Sequence, residues 1–250
     1  MEKVFSRPKS MTNTPFHYCP GCDHGVIHRL VAEVIDELEL APKTIGVASV
    51  GCSVFIFDYF DVDFISAAHG RAPAVATGIK RSRPDCMVFT YQGDGDLASI
   101  GIGEIIHAAN RGEKISVFFI NNAIYGMTGG QMAPTTLLGM KTTTSPYGRD
   151  PAIHGHPIRV SEMLATLESP VLICRVAVNT PANLLNAKKF VRKAFMNQKE
   201  GKGFSFVEVL STCPTNWGKS PGNAHKWLAE SMIPVFPLGV FKDKTEIENQ

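Results

Sequence analysis

Short apolar runs of strand length alternate along this chain with segments whose apolar positions recur at helical spacing. The runs are Thr44 to Val50, Val62 to Ala67, Cys86 to Tyr91, Ile115 to Ile120, Val171 to Val178 and Phe204 to Leu210. Val26, Ile27, Leu30, Val31, Val34, Ile35 and Leu38 mark a helix over His24 to Leu40, with Asp23 as its expected N-cap. Arg71 to Arg83 (Pro73 in its first turn), Ile100 to Arg111 and Ala182 to Gln198 read as further helices. Alternation of this kind predicts an α/β fold, a doubly wound and mostly parallel sheet. Residues 1–17 read as a polar extended arm. Gly126 to Pro157, rich in Gly, Thr, Pro and Met, reads as a long lid or binding loop. The expected organisation is an α/β domain over residues 1–211 with an extension over residues 212–250, which wraps a neighbour rather than forming its own core.

In such a sheet the loops at the carboxyl ends of the strands share one rim, and ligands sit in the crevice there. Gly93-Asp94-Gly95 ends one run, and Asn121-Asn122 ends the next, 25 residues further on. Hard oxygen donors delivered in this way suit Mg2+ holding a diphosphate, with the glycines letting backbone approach it. Asp94 would be the anionic ligand and Asn122 the second. Gly95 and Asp96 open a helix whose first amides favour phosphate. A tight turn with a helix cap would explain Asp96 equally well. His69-Gly70-Arg71 ends a neighbouring run and offers further donors, Arg71 as a phosphate contact. The paired motifs resemble the diphosphate-binding motif of thiamine diphosphate enzymes, and that resemblance implies the backbone carbonyl of Ile124 as third metal ligand.

At 250 residues and 44% apolar, the chain is long enough to bury a sizeable core. A net charge of +2 argues neither for nor against nucleic acid, but the lack of a basic cluster interleaved with aromatics makes nucleic-acid binding a disfavoured reading. No apolar run reaches membrane-span length and the start lacks a signal-peptide core, so a cytoplasmic location with no membrane is expected. In that compartment six cysteines read as ligands, catalysts or core residues rather than disulfides. Cys19-Pro20-Gly21-Cys22 offers two thiolates in one turn, while Cys52 and Cys213 each follow a strand run on the rim that carries Asp94. Four soft ligands arranged so suit either zinc or an iron–sulfur cubane, and the scattered spacing leans toward the cubane. Cys86 and Cys174 lie inside strand runs and read as core thiols.

With both constellations in view, the chain resembles the β subunit of 2-oxoacid:ferredoxin oxidoreductases. The matching stretches are CPGCDHG at Cys19 to Gly25, SVGCS at Ser49 to Ser53, HGRAPAVATGIK at His69 to Lys80 and QGDGD at Gln92 to Asp96. INNAIYGMTGGQ at Ile120 to Gln131, TSPYGR at Thr144 to Arg149 and CPTNW at Cys213 to Trp217 continue the series. The resemblance implies a thiamine diphosphate-binding fold with one 4Fe–4S cluster on Cys19, Cys22, Cys52 and Cys213. It implies Mg2+ at Asp94, Asn122 and Ile124. Thiamine diphosphate is then expected near Gly51, Cys52, Ser53, His69, Gly70, Arg71, Gly93, Gly95, Asp96, Asn121, Gly126 and Met127. The implied reaction is oxidative decarboxylation of a 2-oxoacid, 2-oxoglutarate favoured, to an acyl-CoA and CO2, with coenzyme A as co-substrate. Electrons pass to ferredoxin or a ferredoxin-like subunit. There is little room here for a second thiamine-binding domain, so an α-type subunit is expected to complete the site and to carry the activating glutamate. Some relatives have a lysine where this chain has Gly129, which puts substrate choice in question. The competing expectation is a non-oxidative thiamine diphosphate-dependent decarboxylase subunit with structural or zinc-binding cysteines.

Overall fold

The apolar runs become strands of one sheet in a computed structural model that describes residues 6–245; expectations for residues 1–5 and 246–250 lie outside the described residues. The strands are β1 (Thr44–Ala48), β2 (Asp63–Ser66), β3 (Met87–Gly93), β4 (Ser116–Asn121), β5 (Leu172–Ala177), β6 (Ser205–Leu210) and β7 (Gly239–Asp243). Their order across the sheet is β2-β1-β3-β4-β6-β5-β7, parallel except where β7 pairs antiparallel with β5. Strands β4, β5 and β6 are buried along their whole length, as expected where helices cover both faces.

On one face lie α1 (His24–Glu37) and, later in the chain, a long helix over Pro181–Lys199; on the other lie α2 (Ala72–Ser82) and α3 (Ile102–Asn110). Two short helices, α4 (Pro151–His154) and α5 (Val160–Ala165), precede the long one, which is therefore α6. Helix α1 buries Ile27, Leu30, Val31, Val34 and Ile35 toward the sheet. Its acidic side meets α6, where Lys188 pairs with Glu33 and Glu37, and Arg192 with Glu37. The basic residues of α6 are thus largely engaged within the chain. No helix among the described residues is long and apolar enough to cross a membrane.

Four differences from the sequence expectations have physical causes. Asp23 precedes α1, but its side chain does not cap it; the carboxylate instead accepts from the Thr212 amide at 2.9 Å and contacts His225 Nε2 at 2.8 Å. The segment expected as one helix from Ile100 begins earlier, as a π-helical turn over Gly95–Ile100, and breaks at Gly101. A Cβ on Gly101 would lie 2.5 Å from the Gly70 carbonyl, so two backbones meet there and only glycine fits. The tail does not leave its own chain. Helices α7 (Pro214–Trp217), α8 (Pro221–Trp227) and α9 (Ile233–Val235) bring Leu228, Met232 and Phe236 against Ala123, Leu137, Ala177 and Leu210. Finally, residues 126–157 are packed rather than loose. The buried Arg149 guanidinium donates to the carbonyls of Ala133, Pro134, Thr136, His154, Gly155 and His156, stapling the segment in place of regular structure.

Candidate functional site

The chain order reverses at β1 and β3, and a cleft of about 130 Å³ opens beyond the carboxyl ends of the strands there. Of the residues expected in it, Gly51, Cys52, Ser53, His69, Gly93, Asp94, Gly95, Asp96, Asn122, Ile124, Gly126 and Met127 line it. Gly70, Arg71 and Asn121 do not. Gly70 sits behind Asp96, half-exposed Arg71 pairs with Glu104, and Asn121 turns its amide away to Glu208. His24, Val50, Tyr125 and Thr128 line the cleft without having been singled out as site residues. A larger open groove beside the N-terminal arm holds none of the motif residues.

Asp94 is buried in the cleft floor. Its Oδ1 accepts from the Gly95 amide at 2.9 Å, and its Oδ2 from the Ile124 amide at 3.1 Å and from Thr135 Oγ1 at 2.6 Å. Burial pushes its pKa up to about 6, even though these donors pull it down. Asn122 Oδ1 accepts from the same Ile124 amide at 3.3 Å. The two side-chain oxygens expected as metal ligands therefore converge on one point. No cationic side chain among the described residues pairs with Asp94, so the donor set fits a divalent cation with oxygen ligands.

Asp96, two residues on, has a different job. Its carboxylate accepts from the Gly70 amide at 2.9 Å and Gln92 Nε2 at 2.6 Å, and contacts His69 Nδ1 at 2.6 Å. It ties the ends of β2 and β3 together and reaches the Val50 amide after β1 at 3.4 Å. Gly51 has φ of +122°, with open space where a Cβ would be, which leaves backbone bare toward the cleft. Gly95 is covered by the Tyr125 ring, and the Tyr125 hydroxyl donates to the Gly95 carbonyl at 3.1 Å.

The thiols gather on the adjoining side. A Cβ placed on Gly126 would lie 3.1 Å from Cys52 Sγ and 3.6 Å from Cys213 Sγ, so these two sulfurs flank the loop that carries Ile124. Burial pushes Cys22 and Cys52 up to about 12, and the neighbouring Cys213 sulfur adds to both shifts. Cys213 is raised by burial as well, and Cys19 adds to the field at Cys52 and Cys213. Burial thus disfavours the thiolate form of Cys22, Cys52 and Cys213, a penalty that a bound metal centre would offset. No three His, Cys, Asp or Glu among the described residues are arranged to hold a single metal ion. Cys86 and Cys174 are buried in the core, as expected.

Several neighbours that were not singled out as site residues support this geometry. Asn216 Nδ2 donates to the Gly126 carbonyl at 2.9 Å and to Cys213 Sγ at 3.3 Å, and Trp217 Nε1 donates to the Asn122 carbonyl at 3.1 Å. Thr212 Oγ1 donates to the Gly21 carbonyl at 2.7 Å, so the Asp23–Thr212 contact straps the CPGC turn to the Cys213 loop. His24 is buried against Tyr91, its Nδ1 2.8 Å from the hydroxyl, and burial pulls its pKa down to about 4.

A parallel α/β sheet with an aspartate loop and an asparagine loop on one rim is the architecture of a thiamine cofactor-binding domain. The family described as thiamine pyrophosphate enzyme, C-terminal TPP binding domain, matches residues 49–209. Subunit VorA of a ketoisovalerate oxidoreductase from Methanothermobacter thermautotrophicus is 49% identical over 245 residues, which cover 98% of this chain and 51% of that one. Subunit KorB of a 2-oxoglutarate synthase from Methanocaldococcus jannaschii is 36% identical, covering 94% of this chain and 83% of the relative. A solved 2-oxoglutarate:ferredoxin oxidoreductase from Magnetococcus marinus, with 2-oxoglutarate, coenzyme A and succinyl-CoA bound, superposes with a TM-score of 0.77 at 25% identity. That superposition covers 97% of this chain and 86% of the other. The chain belongs to the thiamine pyrophosphate enzymes and, within them, to the family of 2-oxoacid oxidoreductase subunits. It spans about half the length of the VorA relatives it matches.

Proposed function

We propose that this chain is the β-type subunit of a 2-oxoacid:ferredoxin oxidoreductase. With an α-type partner it would convert a 2-oxoacid and coenzyme A to an acyl-CoA and CO2, passing electrons through a 4Fe–4S cluster to ferredoxin or a ferredoxin-like subunit. The observation that carries this reading is the meeting of hard and soft donors at one loop. Asp94 and Asn122 converge before Ile124, and two residues later Cys52 and Cys213 flank Gly126.

In this reading Asp94, Asn122 and the Ile124 carbonyl hold Mg2+, and Gly51, Ser53 and Gly95 give the diphosphate room. Cys19, Cys22, Cys52 and Cys213 hold the cluster. Bound thiamine diphosphate supplies the electron sink for loss of CO2. The chain's own residues orient that cofactor and, with Tyr125 and Met127, cover it from water. One CxxC turn with two distant single cysteines favours a cluster over a structural zinc ion, which more often takes two such turns.

The cleft lining has no lysine or arginine among the described residues to meet a second carboxylate, and Gly129 stands where some relatives have lysine. A branched-chain 2-oxoacid is therefore the first substrate to test and 2-oxoglutarate the second. The test is anaerobic purification of the chain with its partner subunits. Expected are iron and acid-labile sulfide on this chain, and visible absorption that bleaches on adding 3-methyl-2-oxobutanoate and coenzyme A. A colourless, zinc-bearing complex that releases CO2 without reducing any acceptor would replace this reading with the non-oxidative decarboxylase.

A further inference from the structure

Behind the asparagine turn runs a buried ionic chain for which the proposed reaction has no use. Glu208 on β6 lies beside Arg175 on β5 and Phe119 on β4, all three fully buried. Its Oε2 contacts Arg175 Nε at 2.8 Å and accepts from Ser161 Oγ at 2.5 Å. Arg175 is held in turn by Glu162 at 2.6 and 3.0 Å, by the Pro237 carbonyl at 3.1 Å, and by the rings of Phe236 and Phe241. The other oxygen of Glu208 faces the site, where Oε1 accepts from Asn121 Nδ2 at 2.8 Å.

Asn121 passes this constraint on. Its Oδ1 accepts from the Ala123 amide at 3.2 Å, and Ala123 has φ of +60°, a conformation that residues other than glycine seldom adopt. Such a residue persists only where its surroundings over-determine it. Here Asn121 holds the Ala123 amide and Thr136 Oγ1 donates to its carbonyl at 2.6 Å. The next amide, Ile124, is the one aimed at both Asp94 and Asn122.

We propose that Glu208, braced by Arg175, is the positioning residue of the metal turn: it orients Asn121, which fixes Ala123 and so sets Asn122 and the Ile124 carbonyl relative to Asp94. The inference rests on the reading of Asp94 and Asn122 as metal ligands. Its chemical core is polarity. A carboxylate offers acceptors at both ends: Oε1 takes the Asn121 donor, while Oε2 takes the Ser161 hydroxyl and lies against the Arg175 charge. A glutamine has a single acceptor oxygen, and the charged guanidinium claims it. In Glu208→Gln the new amide NH2 then opposes Asn121 Nδ2. Asn121 must flip, and its own NH2 then faces the Ala123 amide.

The probe is Mn2+, titrated into the intact complex with thiamine diphosphate present and followed by loss of the free-ion EPR signal. Outer partners of metal ligands change affinity by about 10–100-fold when removed, so Glu208→Gln is expected to weaken Mn2+ binding about tenfold or more. Glu162→Gln also loosens Arg175 but leaves Asn121 anchored, and is expected to bind within about twofold of the parent. The double variant Glu208→Gln with Asn121→Asp restores donor to acceptor and is expected to recover most of the affinity. If Glu208→Gln does not assemble, Asn121→Ser, which keeps the Glu208–Arg175 pair, takes its place and is expected to show the same loss. Equal effects of Glu208→Gln and Glu162→Gln, or a double variant no better than the single, would make this an ordinary core ion pair and overturn the proposal. Asp94→Asn is the separate arm: unchanged Mn2+ binding there removes the metal reading itself.

Discussion

Asp94→Asn separates a metal ligand from a turn-capping aspartate, and the expected size of the effect follows from burial. In the folded, metal-free chain the Asp94 carboxyl keeps its proton to about pH 6, against an ordinary 3.8. Between those values the folded state binds more protons than the unfolded one, so this group's contribution is most favourable below 3.8 and is lost as pH rises through 6. Holding the carboxylate ionised at neutral pH costs about 3 kcal/mol. Asparagine removes that cost. It also places an NH2 where Thr135 and the Ile124 amide now donate. The Thr135 hydroxyl can turn to accept, and the Ile124 amide keeps Asn122 Oδ1, so the loss is about 1 kcal/mol. The EDTA-treated variant is therefore expected to be more stable than the parent by about 2 kcal/mol at ~pH 7.5, with the advantage gone by ~pH 4. At Mg2+ a hundredfold above its Kd the parent gains about 2.7 kcal/mol and the variant gains none, which reverses the order. Denaturant titrations with and without Mg2+ at both pH values measure all four quantities. A metal-free variant less stable than the parent at neutral pH, with Mg2+ making no difference to either, would mean that the aspartate caps a turn and binds no ion.

Gly126→Ala should act on the cluster side of the same loop. The new Cβ would press on Cys52 Sγ at 3.1 Å and approach Cys213 Sγ at 3.6 Å, so iron per chain should fall or the cluster's EPR signal shift; iron content and signal equal to the parent would count against the shared loop. Arg149→Met should free residues 126–157. Its guanidinium is the donor to six buried or half-buried carbonyls, and leaving them unpaired should cost about 3–5 kcal/mol, read as a lower melting temperature and faster proteolysis within that segment.

Strands β4, β5 and β6 were legible as mostly apolar runs, the mark of a strand covered on both faces, whereas β2, largely exposed at the sheet edge, was legible only as a short run with mixed polarity. Strand β7 was not. It is a half-covered edge strand in which Lys242 and Asp243 follow Val240 and Phe241, and its antiparallel partner lies some 65 residues upstream. In the tail, Ala224, Leu228, Met232 and Phe236 do recur every fourth residue, but prolines and glycines around them hid the period. The proposed metal pair, Asp94 and Asn122, stood out because both sit in strand-end loops of distinctive composition. The groups that hold them, Thr135, Tyr125, Trp217 and Glu208, come from segments 30 to 95 residues away, where spacing carries no signal. Asp23 misled for a related reason. An acid before a helix is a generic cap, and only the folded chain brings Thr212 and His225 to compete for it.

The placement of two aspartates two residues apart carries a constraint of its own. Asp96 is committed to protein donors from two loops and the end of β3, and those bonds fix the rim on which everything else stands. A carboxylate so fully engaged has little capacity left for an ion. Asp94 has fewer partners, sits as deeply, and carries its charge at a cost imposed by burial, a cost that an incoming cation offsets. The glycine between them keeps the chain narrow enough for the Tyr125 ring to pack on it, since a Cβ there would lie 2.1 Å from that ring. Exchanging the two environments, by Gln92→Leu to strip a donor from Asp96 and Thr135→Val to strip one from Asp94, should therefore have unlike results. The first should loosen the rim and lower the melting temperature with or without Mg2+. The second should leave the loaded protein's melting temperature nearly unchanged, because the ion takes over the role of the lost hydroxyl. Equal losses in both, whatever the Mg2+ concentration, would show that neither carboxylate is reserved for a ligand.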